Sequence, residues 1–236
     1  MLAIANPEGN STMPVHDHSS FESLYTGQPR WEIGRPQKAL LDVADQITGS
    51  ILDSGCGTGE NALYFARRGH NVTGIDFLAE PISLARQKAT ERGLTVTFLV
   101  MDALALIDFP EVFDTVIDSG LFHVFSDDDR RRYIDGLASV LKPGGNLFLL
   151  CFSDGEPGTQ GPRRVSEKEI RDTFADGWAV ESIKPSRYEV RPDPNDVSFK
   201  DGGPKAWFVV VSSASNFTQR PHCADGSGTE TFVSKA

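Results

Sequence analysis

Three cysteines serve 236 residues, Cys56, Cys151 and Cys223, and no two stand at a metal-type spacing. Such an odd, unspaced set reads most simply as reduced thiols, which points to a cytoplasmic chain. No apolar run approaches the roughly 18 residues of a membrane span. The first residues, with Asn6, Glu8, Asn10 and Ser11, hold neither a basic start nor an apolar block, so no signal peptide is expected. Positive charge is scarce as well: 23 Lys plus Arg stand against 33 Asp plus Glu, a net charge of −10. That balance repels phosphate backbones and argues against nucleic acid as the main partner. A local basic run, Arg130-Arg131-Arg132, reads as the solvated face of a helix. No cluster of His, Asp and Glu at ligand spacing occurs, so no metal is expected. Internal repeats are absent, and a monomer is the default expectation.

What is present is an alternation of apolar strands and amphipathic helices. Positions 1 to about 20 are polar and Gly/Pro/Ser/His-rich, and 1–37 are expected to form a flexible segment and an active-site cover. Apolar spacing over positions 36–47 predicts a helix with Pro36 at its start. Strands are expected over 50–54, 71–76, 95–101, 113–118, 146–152, 178–190 and 206–212. Helices are expected over 60–68, 80–92 and 127–141, and over 166–174, where Ser166 and Glu169 stand at capping-box spacing. Lys142-Pro-Gly-Gly145 reads as a turn, and 153–162 as a Gly/Pro-rich loop. The pattern predicts a Rossmann-like, doubly wound α/β sheet of seven strands. It is expected to be mostly parallel, with an antiparallel final hairpin and helices on both faces. The folded domain is expected over 38–213, with a polar tail over 214–236.

The strand at 50–54 runs into Gly55-Cys-Gly57-Thr-Gly59. Glycines there let the chain turn sharply and let a ligand lie against bare backbone. The next strands end in Asp76, Asp102 and Asp118, where a doubly wound sheet collects its ligands. Asp76 supplies a carboxylate suited to a ribose, so an adenosine-containing cofactor is expected. A dinucleotide fingerprint spaces its glycines Gly-x-Gly-x-x-Gly. Here the third glycine comes one residue early, and Asp53 and Glu60 flank the turn. Two acids suit a sulfonium and an amino group better than a pyrophosphate, which sets a dinucleotide oxidoreductase behind other readings.

Asp53-Ser-Gly-Cys-Gly-Thr-Gly59 resembles motif I of class I S-adenosylmethionine-dependent methyltransferases. Asp76, Met101-Asp102-Ala103, Phe113-Asp-Thr-Val-Ile-Asp118 and Leu141-Lys-Pro-Gly-Gly-Asn-Leu-Phe148 are similar to that family's later motifs, in the same order. Pro29-Arg-Trp31-Glu-Ile-Gly34-Arg-Pro-Gln37 resembles a segment of thiopurine, thiol and halide methyltransferases and of bacterial enzymes that methylate quinolones and other heterocyclic toxins. Relatives carry Pro-Trp-Asp there; in this chain Arg30 intervenes and Glu32 replaces Asp. The amino-group methyltransferases' Asn/Asp-Pro-Pro-aromatic motif is replaced by Asp118-Ser-Gly-Leu-Phe122-His123.

The resemblance implies S-adenosyl-L-methionine as donor and S-adenosyl-L-homocysteine as product. Gly55, Gly57 and Gly59 would receive the methionine part. Asp76, with the adjoining Phe77, would take the ribose. Met101, Asp102 and Ala103 would hold the adenine, Asp102 alternatively being a strand-end cap. Asp118 stands near the amino-acid end of the cofactor or is structural. Asp53 orients the loop rather than touching the cofactor. His123 is either a general base or a pocket wall. Tyr25, Trp31, Phe122 and Phe125 form an aromatic cover, unless Phe122 and Phe125 are core. Trp31 is counted with both cofactor and acceptor. The function expected is methyl transfer to an O, N or S atom of a small aromatic or heteroaromatic acceptor, without nucleic acid or membrane. A thiol or halide methyltransferase is the first alternative, and a non-catalytic S-adenosylmethionine-binding protein the second.

Overall fold

The computed structural model describes residues 29–159, 161–192 and 202–214. Among them a seven-stranded sheet runs in the order β3-β2-β1-β4-β5-β7-β6. The strands are β1 Ile51–Ser54, β2 Val72–Asp76, β3 Thr97–Val100, β4 Phe113–Ser119, β5 Leu141–Phe152, β6 Trp178–Arg187 and β7 Lys205–Ser213. Strands β1 to β5 pair in parallel, while β7 runs antiparallel between β5 and β6. This is the expected doubly wound sheet with its antiparallel hairpin. The chain steps outward from β1 to β3, then returns to place β4 on the other side of β1. The carboxyl ends of β1 and β4 therefore flank the switch in strand order, where ligands enter such sheets.

Period-two alternation sends successive residues of each strand to opposite faces. Leu52, Val116, Leu147, Leu149 and Val211 pack with Tyr133 and Leu137 of helix α4 (Asp127–Val140) and Ile170 of α5 (Glu167–Thr173). Ile51, Ile117, Phe148 and Phe208 pack on the other face with Leu63 and Phe65 of α2 (Glu60–Arg67) and with Ile82 and Ala85 of α3 (Ala79–Glu91). Every residue of β1 is buried, so that strand lies at the centre of both cores. Helix ends follow local chemistry: Ser126 Oγ accepts the Asp129 N–H at 3.1 Å, and Ser166 with Glu169 forms the expected capping box.

Three local expectations change. The helix expected over 36–47 contracts to α1, Lys38–Leu41. Beyond it Val43, Ala44 and Gln46 donate three residues back, a tighter winding than the α form. Leu40, Ala44 and Ile47 are still buried, so the apolar spacing served burial without an α-helix. The expected turn at 142–145 is a bulge inside β5, where pairing with β4 shifts from Phe113–Leu141 to Thr115–Asn146. Two 3-10 turns without a sequence signal, Ala103–Asp108 and Phe122–Val124, follow β3 and β4.

Gly59 carries a packing constraint that predicts a stability effect. Its φ is +83°, and a Cβ would stand 2.7 Å from the Phe98 ring and 2.9 Å from Ala85 Cβ. Gly69, at φ +91°, faces open space. Gly59→Ala is expected to cost about 2–4 kcal/mol from overpacking and left-handed strain together, and Gly69→Ala about 1 kcal/mol from strain alone. Thermal unfolding of the two variants side by side checks this.

Candidate active site

The ends of β1, β2 and β4 stand in register, Ser54 opposite both Ile75 and Asp118. Beyond them the glycine loop turns back, with Cys56 N donating to Ile75 O at 2.8 Å. Three carboxylates gather here: Asp53 is 1% exposed, Asp76 8% and Asp118 0%. Asp53 Oδ2 accepts the Ala62 N–H at 3.1 Å, and its Oδ1 accepts Asn61 Nδ2 at 3.4 Å. It thus ties β1 to the first turn of α2 rather than to the glycines themselves. Asp76 Oδ2 accepts the Gly57 N–H and its Oδ1 the Leu78 N–H, both at 3.0 Å. Each Asp76 oxygen keeps a lone pair, which suits a diol donating two O–H groups. Asp118 Oδ1 accepts from Leu121 N at 2.9 Å and Phe122 N at 3.3 Å, while Oδ2 accepts the Tyr133 O–H at 3.0 Å. Those bonds give Asp118 an architectural role, anchoring the chain after β4 onto α4.

No cationic side chain pairs with these three carboxylates among the described residues. Burial pushes Asp53 up to about 7, partly offset by Asn61 and Ala62, and pushes Asp118 up to about 6. Asp76 is also raised by burial. A buried acidic cluster held only by N–H and O–H donors fits a ligand carrying positive charge. Glu60, expected to add to this field, does not. It pairs instead with Lys88 at 2.9 Å and Arg92 at 2.8 Å, both on α3 or at its end.

Met101 N donates to Asp76 O at 2.8 Å, which brings the two strand ends together. Asp102 is exposed and caps the following 3-10 turn, accepting the Leu104 N–H at 2.9 Å. Ala103 is buried, and Phe77 is half-buried beside Asp76. Phe122 is a correction. It is 0% exposed and stacked on Phe174 at 6.0 Å, because the 3-10 turn after β4 directs it into the core. Phe125 is equally buried, against Tyr133. Neither offers a surface to an acceptor.

His123 is 5% exposed, and its Nδ1 accepts the Phe152 N–H at 3.0 Å. A backbone N–H can only donate, so the ring is neutral with its proton on Nε2. Burial, then Arg164 and Arg130, lower its pKa to about 3. The general-base expectation is corrected accordingly, because neither ring nitrogen of this tautomer has a free lone pair. Arg130 is a further correction: only Arg131 and Arg132 face solvent, while Arg130 is 4% exposed with its guanidinium 4.5 Å over the Phe122 ring.

The stretch from Pro29 is docked across the glycine loop. Thr58 Oγ donates to Glu32 Oε2, and Lys88 Nζ donates to Thr58 Oγ at 2.6 Å. Arg35 pairs with Glu189 at 2.7 Å, and Gln37 bonds the Glu189 backbone in both directions. Trp31 lies on this stretch with 42% of its surface exposed. Tyr25 falls outside the described residues. Sequence reading missed Thr58, Lys88, Glu189 and Tyr133. All act through pairings far apart in the chain, which periodicity does not carry; the departure of Glu32 from Asp was the one available signal.

Asp53 gives a pH signature. Its folded pKa lies above its unfolded value of 3.8, so the ionised form is disfavoured by folding, and stability present at low pH is lost as pH rises toward 7. His123 acts oppositely below its unfolded value, but its contribution cancels between variants that share it. Relative to the parent, Asp53→Asn is therefore expected to gain about 1–3 kcal/mol between pH 5 and pH 8. Denaturant unfolding at the two pH values checks this.

A family profile described as "Methyltransferase domain" matches residues 51–145. The chain is 38% identical over 196 residues to the 2-heptyl-1-hydroxyquinolin-4(1H)-one methyltransferase of Mycobacteroides abscessus, covering 78% of this chain and 85% of the relative. A solved structure described as "Conversion of a Disulfide Bond into a Thioacetal Group during Echinomycin Biosynthesis" superposes with a TM-score of 0.75 at 36% identity, covering 85% of this chain and 94% of the other. A Burkholderia thailandensis 1,6-didemethyltoxoflavin-N1-methyltransferase with bound S-adenosylhomocysteine shares the fold, with a TM-score of 0.60 at 20% identity over 83% of each chain. With the glycine loop, the buried acids and these matches together, the chain belongs to the S-adenosylmethionine-dependent methyltransferases.

Proposed function

We propose that this methyltransferase acts on an oxygen, nitrogen or sulfur atom of a small heteroaromatic acceptor. The observation that carries this is the 38% identity, over most of both chains, to an enzyme whose name specifies a hydroxyquinolone acceptor. The replacement of Asn/Asp-Pro-Pro-aromatic by Asp118-Ser-Gly-Leu-Phe122-His123 supports it by removing the amino-group motif. In this reading the glycine loop receives the methionine part of the donor, and Asp76 with Phe77 takes the ribose. Met101, Asp102 and Ala103 hold the adenine. Asp53 and Asp118 contribute charge from beneath the site while fixing α2 and the chain after β4. Trp31 and Tyr25 close over donor and acceptor from the N-terminal stretch. The protein works as a monomer in a cytoplasm; no helix among the described residues is long and apolar enough to cross a membrane.

Two measurements test this. Asp76→Ala is expected to weaken S-adenosylmethionine binding about tenfold to a hundredfold, since it removes hydrogen bonds to a charged group. Calorimetry returning the parent affinity removes the ribose assignment. A screen with labelled S-adenosylmethionine across phenols, hydroxyquinolines, thiols and halides is expected to label the hydroxyquinolines. Methylated iodide or bisulfide as the main product replaces this reading with a thiol or halide methyltransferase. No product with any acceptor, while donor binding is intact, replaces it with a non-catalytic binder.

A further inference from the structure

Beside the glycine loop, the chain after β4 carries a polar group that the cofactor site does not use. His123 Nε2, which bears the ring proton, has no hydrogen-bond partner among the described residues, although the residue is 95% buried by its 5% exposure. The ring edge faces Gly120, whose φ is +106°. A Cβ there would lie 3.9 Å from Nε2 and 3.5 Å from Tyr188 Oη. The bare glycine thus leaves space in front of the donor, just beyond the carboxyl end of β4. Two guanidinium groups act on the ring, Arg164 and Arg130, the latter 3.8 Å from the Glu169 carboxylate. The Arg164 guanidinium stands 5.2 Å over the Phe152 ring, which in turn lies 5.1 Å from the imidazole. Arg130, over the Phe122 ring, leaves Nε and Nη2 without partners. Two unmet donors on a buried guanidinium are costly, and an anion nearby offsets part of that cost.

Resting on the heteroaromatic-acceptor reading, we infer that His123 positions the acceptor rather than deprotonating it. Its Nε2–H donates to an anionic oxygen of an acidic heteroaromatic hydroxyl, and Arg164 and Arg130 supply the field that keeps that oxygen ionised. The transfer balances without a base. An electron pair on the acceptor oxygen forms the O–CH3 bond, the S–CH3 bond breaks, and its pair stays on sulfur as a neutral thioether. The negative oxygen and the positive sulfonium lose their charges together, and no proton leaves in the step. The groups facing the imidazole are Phe152 from β5, Tyr188 beyond β6, Arg164 from the loop after β5 and Arg130 from α4. Tyr188 is held protonated by burial and donates to Leu150 O, so it does not compete as a base.

The probe is 2-heptyl-1-hydroxyquinolin-4(1H)-one, titrated into the S-adenosylhomocysteine complex and followed by its ultraviolet spectrum. The parent is expected to hold the anion at pH values where the free compound is neutral, lowering its apparent pKa by about one unit or more. His123→Phe is expected to weaken binding about tenfold to a hundredfold, with S-adenosylhomocysteine affinity unchanged. His123→Gln keeps a donor but cannot titrate. It is expected to retain the anion spectrum and a pH–rate profile of the parent's shape. A bound probe that stays neutral overturns the inference, as does a His123→Gln rate reduced a hundredfold or more with a pH limb lost. Methyl transfer to neutral ring nitrogens but not to acidic hydroxyls overturns it while leaving the heteroaromatic reading in place. Transfer to no heteroaromatic acceptor removes both.

Discussion

Three carboxylates buried at the ends of β1, β2 and β4, unpaired with any cation among the described residues, set the terms for the rest of this molecule. Ionised groups out of water are tolerated only where donors or charges meet them. Here the donors are backbone N–H groups of Gly57, Ala62, Leu78, Leu121 and Phe122, with the Tyr133 hydroxyl. To aim those groups at the acids, the chain must turn tightly at 55–59 and again at 120–122. The glycines and the 3-10 turn after β4 are thus consequences of the acids as much as of any ligand. The cluster would be completed electrostatically by a positive charge, and in the proposed reading a sulfonium donor brings one. Transfer of the methyl group removes the sulfonium charge, so the same acids favour donor over product.

The glycine loop is also held from outside. Lys88 and Arg92 neutralise Glu60, Lys88 reaches Thr58, and Thr58 donates to Glu32. Exposed pairs of this kind contribute little each, but this network is half-buried and links four chain segments. One consequence is geometric. Glu32 pins the Trp31 stretch to the very loop expected to carry the donor, while Arg35 and Gln37 pin its other end to Glu189. The glycine loop and the stretch from Pro29 are therefore tied together through Glu32, and that stretch to Glu189 through Arg35 and Gln37.

Much of this was legible because it depends on local pattern. The strands, their order of use and the acids at their ends follow from apolar runs, glycine spacing and punctuation, and all of these lie within a few residues of one another. What escaped depends on partners far apart in the chain. The charge of Arg130 suggested a solvated face, since burial under Glu169 and over Phe122 is set by tertiary packing alone. Glu60 read as part of the ligand field because its partners sit on another helix. His123 read as a base because its residue type suits that task near pH 7. The backbone donor that fixes its tautomer comes from Phe152, 29 residues away. Sequence reports which groups exist, while tautomer and charge state are decided by neighbours it does not order.

That distinction bears on how such a site achieves transfer. A neutral imidazole acting as base beside a sulfonium would have to acquire a proton, and so a positive charge, next to an existing one. In a buried pocket that repulsion is only weakly screened. A neutral donor avoids it, and distant guanidinium groups can shift the acceptor's ionisation before the methyl group moves. Alignment of oxygen, carbon and sulfur then accounts for most of the acceleration, since proximity alone is worth about 7–11 kcal/mol. Division of labour follows from the fold. In the proposed reading, the acids under β1, β2 and β4 attract the cation, and the residues after β4 and β5 attract the anion. On that reading the switch point between β1 and β4 brings the two opposite charges together, and their mutual neutralisation is the proposed reaction.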